Sequence, residues 1–231
     1  MARHDVRTPT KVAILCGGLG TRLGALTGDL PKPMVVVAGR PFLERIVESF
    51  VSCGIRDLCL LVGYRAEVIA SHFGDGSRFG ARIEYSREAQ PLGTGGAIRD
   101  ARRYLGERFL LTYGDVLRRF DYDRFLSEHD GPCLAVYARK TVGNTAIEGS
   151  RVARFDKKER DLPYIDAGFS LMPSSVIDLL PAEGPCSFEQ VVYATLARRG
   201  ELTCEIVNHD FFDIGEPAEL ARTRAAFEGT P

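Results

Sequence analysis

The stretch that most limits what this chain can become runs from Lys11 to Met34, KVAILCGGLGTRLGALTGDLPKPM. It opens on an apolar run, Val12 to Cys16, cut off by Gly17 and Gly18. Such a run bounded by glycine reads as a buried strand. Gly20, Thr21 and Arg22 follow at once. Glycines allow positive φ and let backbone N–H groups approach a ligand closely, so a strand feeding this loop suits an anion. Arg22 and Lys32 add two fixed positive charges, and the combination suits a triphosphate. Taken alone, GGLG is equally a plain tight turn. It is not a Walker A loop, which needs Gly-Lys-Ser/Thr where Thr21-Arg22 stands, and its glycine spacing differs from the dinucleotide fingerprint.

Downstream, apolar residues alternate between helical and strand spacing. Phe42, Ile46, Val47, Phe50 and Val51 recur at helical spacing after Pro41. Leu58 to Val62 is continuously apolar, as in an interior parallel strand. A second helix over Ala66 to Phe73 and a third strand over Arg82 to Tyr85 complete a strand-helix-strand-helix-strand pattern. That pattern predicts an α/β sheet built on right-handed crossovers, with ligand loops at the carboxyl ends of the strands. The expected fold is a single domain over 1–231, a Rossmann-like mixed, mostly parallel sheet flanked by helices. Residues 1–10 read as a loose arm.

Later segments add candidate chemistry. Glu88 to Ala97 carries Gly93, Gly95 and Gly96 before a helix predicted over Ala97 to Leu105. Glycines so dense imply close packing on something flat, or only a tight start to the helix. Phe109 to Asp115 reads as a buried strand ending in Gly114-Asp115, a placement that favours Mg²⁺. Asp213 lies in Phe212-Asp213-Ile214-Gly215 and alone would be a capping aspartate. Leu134 to Ala138 reads as a strand, and Asn144 to Ile147 with Val152 to Phe155 as a hairpin. Lys157 and Lys158 follow it, by themselves a solvated charge run. Short helices are expected over Tyr122 to His129 and Pro173 to Leu180. Ser187 opens a helix to Arg199 as a capping serine, with Gln190 at its third position. A last strand, Leu202 to Val207, precedes a helix over Ala218 to Phe227. Arg118 and Arg119 read as solvent-facing.

The string Gly17, Gly18, Gly20, Thr21, Arg22, Leu23, Thr27, Pro31, Lys32, Pro33, Met34 resembles the signature of the sugar-phosphate nucleotidyltransferases. Within that family it is most similar to the small guanylyltransferases acting on D-glycero-D-manno-heptose 1-phosphate. The resemblance extends to about Leu220. It implies a nucleotide-binding half over about 11–118 and a sugar-binding half over about 119–231. It implies Mg²⁺ on Asp115 and Asp213, with Arg22, Lys32 and Lys158 as catalytic cations and Lys157 as the near rival of Lys158. Leu15, Gly17, Gly18, Gly20, Thr21, Glu88, Gly93 and Thr94 would hold the nucleotide. Gly114, Asn144, Lys158, Asp166, Gly168 and Glu189 would hold the sugar phosphate, Gly168 leaving room for the ring. Glu189 reads equally as a capping or surface residue.

Glu88 matches the family position that reads the nucleobase. A carboxylate there accepts from the donors on guanine's Watson–Crick edge, where uracil offers a single ring donor; a solvated glutamate is the plainer alternative. Tyr113 departs from the asparagine often found before Gly-Asp in the family. The expected reaction is Mg²⁺-dependent transfer of a nucleotidyl group, best from GTP, to a heptose 1-phosphate. The rivals are a cytidylyl- or uridylyltransferase acting on another sugar and a non-catalytic nucleotide-sugar sensor. The sensor predicts loss of Arg22, Lys32, Asp115 or Asp213, and all four are present.

Composition bounds the rest. With 30 basic and 31 acidic residues in 231, nothing marks a nucleic-acid partner. No apolar run approaches the roughly 18 residues of a membrane span. The first ten residues lack an apolar signal core, and the six cysteines show no CxxC pair. A cytoplasmic protein with reduced thiols is expected, a monomer or homodimer without regulatory or left-handed helical additions.

Overall fold

The computed structural model describes residues 10–18, 20–26, 28–138 and 143–228. The expected arm therefore lies outside the described residues except for Thr10, as do Leu19 within the glycine loop and Thr27 of the signature. In chain order, β1 (Lys11–Leu15) leads to a small hairpin of β2 (Val36–Val37) and β3 (Arg40–Pro41), then α1 (Phe42–Ser52) and β4 (Asp57–Val62). Next come α2 (Ala66–Phe73), β5 (Arg82–Arg87), α3 (Gly93–Asp100), β6 (Arg108–Tyr113) and β7 (Val116–Arg118). They are followed by α4 (Tyr122–Glu128), β8 (Cys133–Ala138), β9 (Thr145–Glu148), β10 (Arg151–Phe155) and β11 (Tyr164–Pro173). The chain closes with α5 (Ala194–Arg198), β12 (Thr203–Ile206), β13 (Phe211–Asp213) and α6 (Pro217–Glu228).

Among the described residues one nine-stranded sheet runs in the order β5-β4-β1-β6-β11-β8-β12-β10-β9. Strands β5, β4, β1 and β6 are parallel; the buried apolar runs of β4, β1 and β6 suit interior parallel strands, while the edge strand β5 carries polar residues. Beyond β6 the expectation of a mostly parallel sheet fails. β11 enters antiparallel to both β6 and β8, and β10 is antiparallel to β12 and β9, leaving only β8 and β12 parallel in that half. For β9 and β10 the physical reason is connection length. β9 and β10 are joined at Gly149-Ser150, with Gly149 at φ +58°, and so short a link permits only an antiparallel hairpin. β9 also pairs with β11 at Thr145 and Tyr164, so β11, β8, β12, β10 and β9 curl round as a partial barrel.

Side chains leave the sheet alternately and build a core on each face. From β1, Val12 and Ile14 join Phe42, Ile46 and Phe50 of α1 and Ile69 of α2. Ala13 points the other way, to Ile98 of α3, Phe109, Phe188 and Tyr193. Each buried Phe or Ile contributes about 1.5–3 kcal/mol of transfer free energy. Two helices differ from expectation. α3 begins at Gly93, ahead of Ala97, and gives way to a 3₁₀ turn over Arg102–Tyr104. The helix expected from Ser187 to Arg199 holds a π-helical turn, Glu189–Tyr193, before α5. Such wide turns recur where a helix must aim side chains at a site. The segment after β11 is a 3₁₀ helix, Ser174–Leu179. Arg118, expected in solvent, is 3% exposed.

Candidate functional site

A cavity of about 450 Å³ opens at the carboxyl ends of β1 and β6. Leu15, Gly17, Gly18 and Gly20 line one side, and Glu88, Gly93 and Thr94 line another. Lys32, Tyr113 and Asp115 also face it, with Arg22 at an exposed edge. The glycine loop, the Pro-Lys-Pro-Met segment and the Glu88 loop therefore converge although Gly17 and Thr94 are 77 positions apart in sequence. Gly20 has φ +63°, a conformation glycine takes without strain. Arg22 lies 3.6 Å from Glu216, an exposed and weak pairing. The Thr21 backbone starts a short 3₁₀ helix, Thr21–Leu26.

Glu88 is half-buried, and its Oε2 accepts from the Leu92 N–H at 3.1 Å. Two glycines seat it. A Cβ on Gly17 would stand 2.6 Å from Glu88 Oε1, and one on Gly63 would stand 2.5 Å away. Burial, and to a lesser degree Asp100, pushes the Glu88 carboxyl above its ordinary value against the pull of the Leu92 N–H. A desolvated carboxylate facing a cavity is improved by a ligand that brings donors. Gly93 and Gly95 settle the glycine-dense loop differently from a flat ligand alone. Their missing side chains make room for Cys186, whose O would lie 2.5 Å from a Gly93 Cβ and whose Sγ 2.5 Å from a Gly95 Cβ.

The carboxylates Asp115 and Asp213 come together through β7 and β13. These strands pair Asp213 with Val116, and the Ile214 N–H donates to the Asp115 carbonyl at 3.0 Å. Lys32, 11% exposed at its side chain, places Nζ 2.5 Å from Asp115 Oδ2. The Asp213 carboxyl is raised by burial and by the charge of Asp115, while the Gly215 N–H, Lys32 and Arg118 draw it back. Two hard-oxygen donors that repel each other, beside a cavity with room for a triphosphate, fit a divalent cation that completes its shell with phosphate and water. Gly114 lets the chain pass here, since a Cβ would stand 2.8 Å from Cys16 Sγ. A different group, Glu128, His129 and Glu205, is bridged by Arg124, which pairs with both glutamates.

A second cavity, about 360 Å³, is lined by Asn144, Lys157, Arg160 and Asp166 among others. Asn144 Oδ1 accepts from the Asp166 N–H at 3.0 Å, and Asp166 Oδ1 accepts from the Gly168 N–H at 2.7 Å. Burial pushes the Asp166 carboxyl up to about 6, with the Glu189 charge adding to it and the Gly168 N–H, Arg118 and Lys157 opposing. Gly168 has φ +72°, but the room it leaves is occupied. A Cβ there would meet Arg118 Nη2 at 2.5 Å and the Tyr113 ring at 3.4 Å.

Glu189 ties the two cavities together. Its side chain is 1% exposed, which removes the surface reading. Thr94 Oγ1 donates to Oε2 at 2.7 Å and Lys157 Nζ does so at 2.9 Å. Ser187 Oγ also donates to Oε2, and Tyr113 OH donates to Oε1. Burial favours the neutral acid, yet the Lys157 charge and these hydrogen bonds outweigh it and hold the carboxyl down to about 2. Ser187 Oγ accepts from the Gln190 N–H at 3.3 Å, so the capping reading of that serine holds beside its second contact. Lys158, the sequence's first choice for the sugar phosphate, is exposed, and its N–H donates to Asp156 Oδ1 at 3.0 Å. Lys157 is the lysine brought to the cavity.

Gly63, Tyr113 and Arg118 were not among the residues expected to build the site. A glycine directly after the apolar run Leu58 to Val62 was a usable signal for Gly63. Tyr113 was visible only as a departure from a family pattern. Nothing local marked Arg118, because its burial is made by β11 about fifty positions later.

Residues 11–145 match the family model described as nucleotidyl transferase. A D-glycero-alpha-D-manno-heptose 1-phosphate guanylyltransferase of Campylobacter jejuni is 31% identical over 211 residues, 89% of this chain and 95% of that protein. A mannose-1-phosphate guanylyltransferase of Mycobacterium tuberculosis is 34% identical over 97% of this chain but only 65% of its own length. Crystal structures of HddC from Yersinia pseudotuberculosis, one complexed with GMP-PN, are similar at TM-score 0.80 and 28% identity, covering 94% of this chain and 99% of that one.

Proposed function

This chain belongs to the nucleotidyl transferase family, and from that premise we propose that it transfers GMP from GTP to a heptose 1-phosphate. A sugar-phosphate oxygen attacks the α-phosphorus of GTP, the bond to the β-phosphate oxygen breaks, and pyrophosphate leaves with that electron pair. The observation that carries this reading is the Glu189 bridge. One buried carboxylate binds Thr94 and Tyr113 of the larger cavity and Lys157 of the smaller. Two polyanions must meet for this reaction, and two adjoining cavities with cations in each suit that task. Nearly full coverage of the Campylobacter relative, at 95% of its length, supports the heptose, and the mycobacterial relative supports mannose 1-phosphate as the second reading.

The attacking phosphate is ionised at neutral pH, so no general base is required, and alignment with charge compensation makes up the catalysis. The backbone of Gly17, Gly18, Gly20 and Thr21 cradles the triphosphate. Lys32 steadies the phosphates near the α-phosphorus, Arg22 meets the departing pyrophosphate, and Lys157 orients the sugar phosphate. Glu88 accepts from guanine's donors; a wrong base leaves Oε1 of that half-buried carboxylate without a ligand donor, which discriminates against it. Asp115 and Asp213 would hold Mg²⁺, which would supply electrophilic charge compensation on the phosphates.

Residues about 11–118 serve the nucleotide and about 119–231 the sugar within one domain, except that Asp213 returns to the nucleotide side. Six free cysteines, with burial pushing Cys59 and Cys133 up to about 12, suit the cytoplasm. No helix of the described residues is long and apolar enough to cross a membrane. The expected assembly is a monomer or homodimer, measured by light scattering. The function is tested by pyrophosphate release with GTP, ATP, CTP, UTP and dTTP crossed with heptose-, mannose-, glucose- and N-acetylglucosamine-1-phosphates. GTP with the heptose should be best. GTP no better than CTP or UTP removes the base assignment, and mannose equal to the heptose removes the sugar assignment alone.

A further inference from the structure

Arg118 ends β7 with its side chain almost wholly out of water, 3% exposed. Its Nε donates to the Ala167 carbonyl at 2.8 Å, and its Nη1 donates to Thr112 Oγ1 at 3.0 Å and the Val116 carbonyl at 3.3 Å. The guanidinium lies 5.4 Å from the centre of the Phe169 ring. Among the described residues no carboxylate forms an ion pair with it. A buried charge with no carboxylate in direct contact is expensive, and an apolar residue of similar size would serve stability as well or better.

The neighbours show what the charge does. Between Asp166 and Ser170 the register of β11 against β8 shifts, and Ala167 lies within that bulge. Bulges re-aim side chains next to sites. Here the bulge presents Asp166 to the smaller cavity while Arg118 holds its carbonyl and fills the space beside Gly168. The same guanidinium opposes the upward push on both Asp166 and Asp213, which come from different strands. The other charged or titratable groups facing Asp166 are Glu189 and Tyr193 on the π-helical turn, Tyr113 on β6, and Lys157 after β10. Arg160 lines the same cavity.

We propose that Arg118 is a positioning residue for the transfer reaction: its fork pins the β11 bulge that presents Asp166, and its charge is the fixed counter-ion under the sugar pocket. This rests on the nucleotidyl-transfer reading for its catalytic consequence, but not for its electrostatic one. Arginine suits both duties, since a lysine keeps the charge and loses the fork.

The test pairs Arg118→Gln with Arg118→Lys. Carboxyl-carbon NMR follows the titration of Asp166, assigned through the signal missing in Asp166→Asn. In Arg118→Gln the midpoint should rise by about one pH unit, because loss of a nearby positive charge disfavours the carboxylate. In Arg118→Lys it should stay close to wild type. The KM for the sugar phosphate that the wild type prefers should rise about five- to tenfold in Arg118→Lys while kcat changes less, as loss of orienting contacts implies. An unmoved midpoint in folded Arg118→Gln overturns the counter-ion role. An unchanged sugar-phosphate KM in Arg118→Lys overturns the pinning role, and that arm decides the matter if Arg118→Gln does not fold. A lower melting temperature with midpoint and KM both unmoved assigns Arg118 to structure alone. If the wild type turns over no substrate pair, the functional reading fails while the NMR arm still judges the charge.

Discussion

Lys157 Nζ stands 2.9 Å from Glu189 Oε2, with the lysine side chain 47% exposed and the glutamate 1%. One partner is thus free to meet a ligand while the other is locked among hydrogen bonds. Such a pairing holds an ammonium at the lip of a cavity without spending its exposed face. Lys157→Met should raise the KM for sugar phosphate at least tenfold. It should also cost about 1–2 kcal/mol of stability, less than a fully buried pair because the ammonium is half in solvent. Lys158→Met should have a clearly smaller effect on that KM. Steady-state kinetics and chemical denaturation of both variants read the difference, and equal KM effects would remove the assignment of Lys157.

Asp115→Asn and Asp213→Asn should each retain the fold and lose several kcal/mol of transition-state stabilisation, on a scale of about 1.4 kcal/mol per tenfold in rate. The Mg²⁺ concentration giving half-maximal rate should rise in both. Wild-type turnover at saturating Mg²⁺ in either would place the metal elsewhere.

Gly63→Ala tests how Glu88 is seated. The added Cβ would stand 2.5 Å from Glu88 Oε1, so the carboxylate must move. The ratio of kcat/KM for GTP over CTP should fall in this variant and fall similarly in Glu88→Gln, since both disturb one acceptor. An unchanged ratio in Glu88→Gln would take that residue out of the base site.

Two carboxylates should give opposite pH dependence of stability. Glu189 is held down to about 2 from an ordinary 4.5, so its contribution is complete above about 4.5 and is lost as pH falls toward about 2. The melting-temperature deficit of Glu189→Gln should therefore be largest near neutrality and close below pH 4.5. Asp166 is pushed up to about 6 from 3.8, so its ionised form weighs against the folded state above that range. Asp166→Asn should melt higher than wild type at alkaline pH, the gain fading as pH falls from about 6 toward 3.8. Thermal melts across the range compare both. A gap independent of pH in either variant would contradict the stated environment.

The chain by itself determined its local devices. Val12 to Cys16 cut by Gly17 marked the first strand, Leu58 to Val62 the next, and Gly114-Asp115 a carboxylate at a strand end. Gly149-Ser150 marked a hairpin, and all of these appear where their spacing put them, to within a residue or two. They were legible because strand, turn and loop preferences act over a few neighbouring positions. Only the tertiary structure decided that β11 slides antiparallel between β6 and β8, that Arg118 is buried by that strand, and that Lys157 rather than Lys158 reaches Glu189. Lys157 and Lys158 are adjacent and chemically alike, so nothing local separates them. What separates them is the arrival of Glu189, 32 positions later, on a turn whose π-helical form no short-range pattern announced. Burial and pairing depend on which distant segments meet, and a single sequence carries that information only through the energy of the whole packed chain.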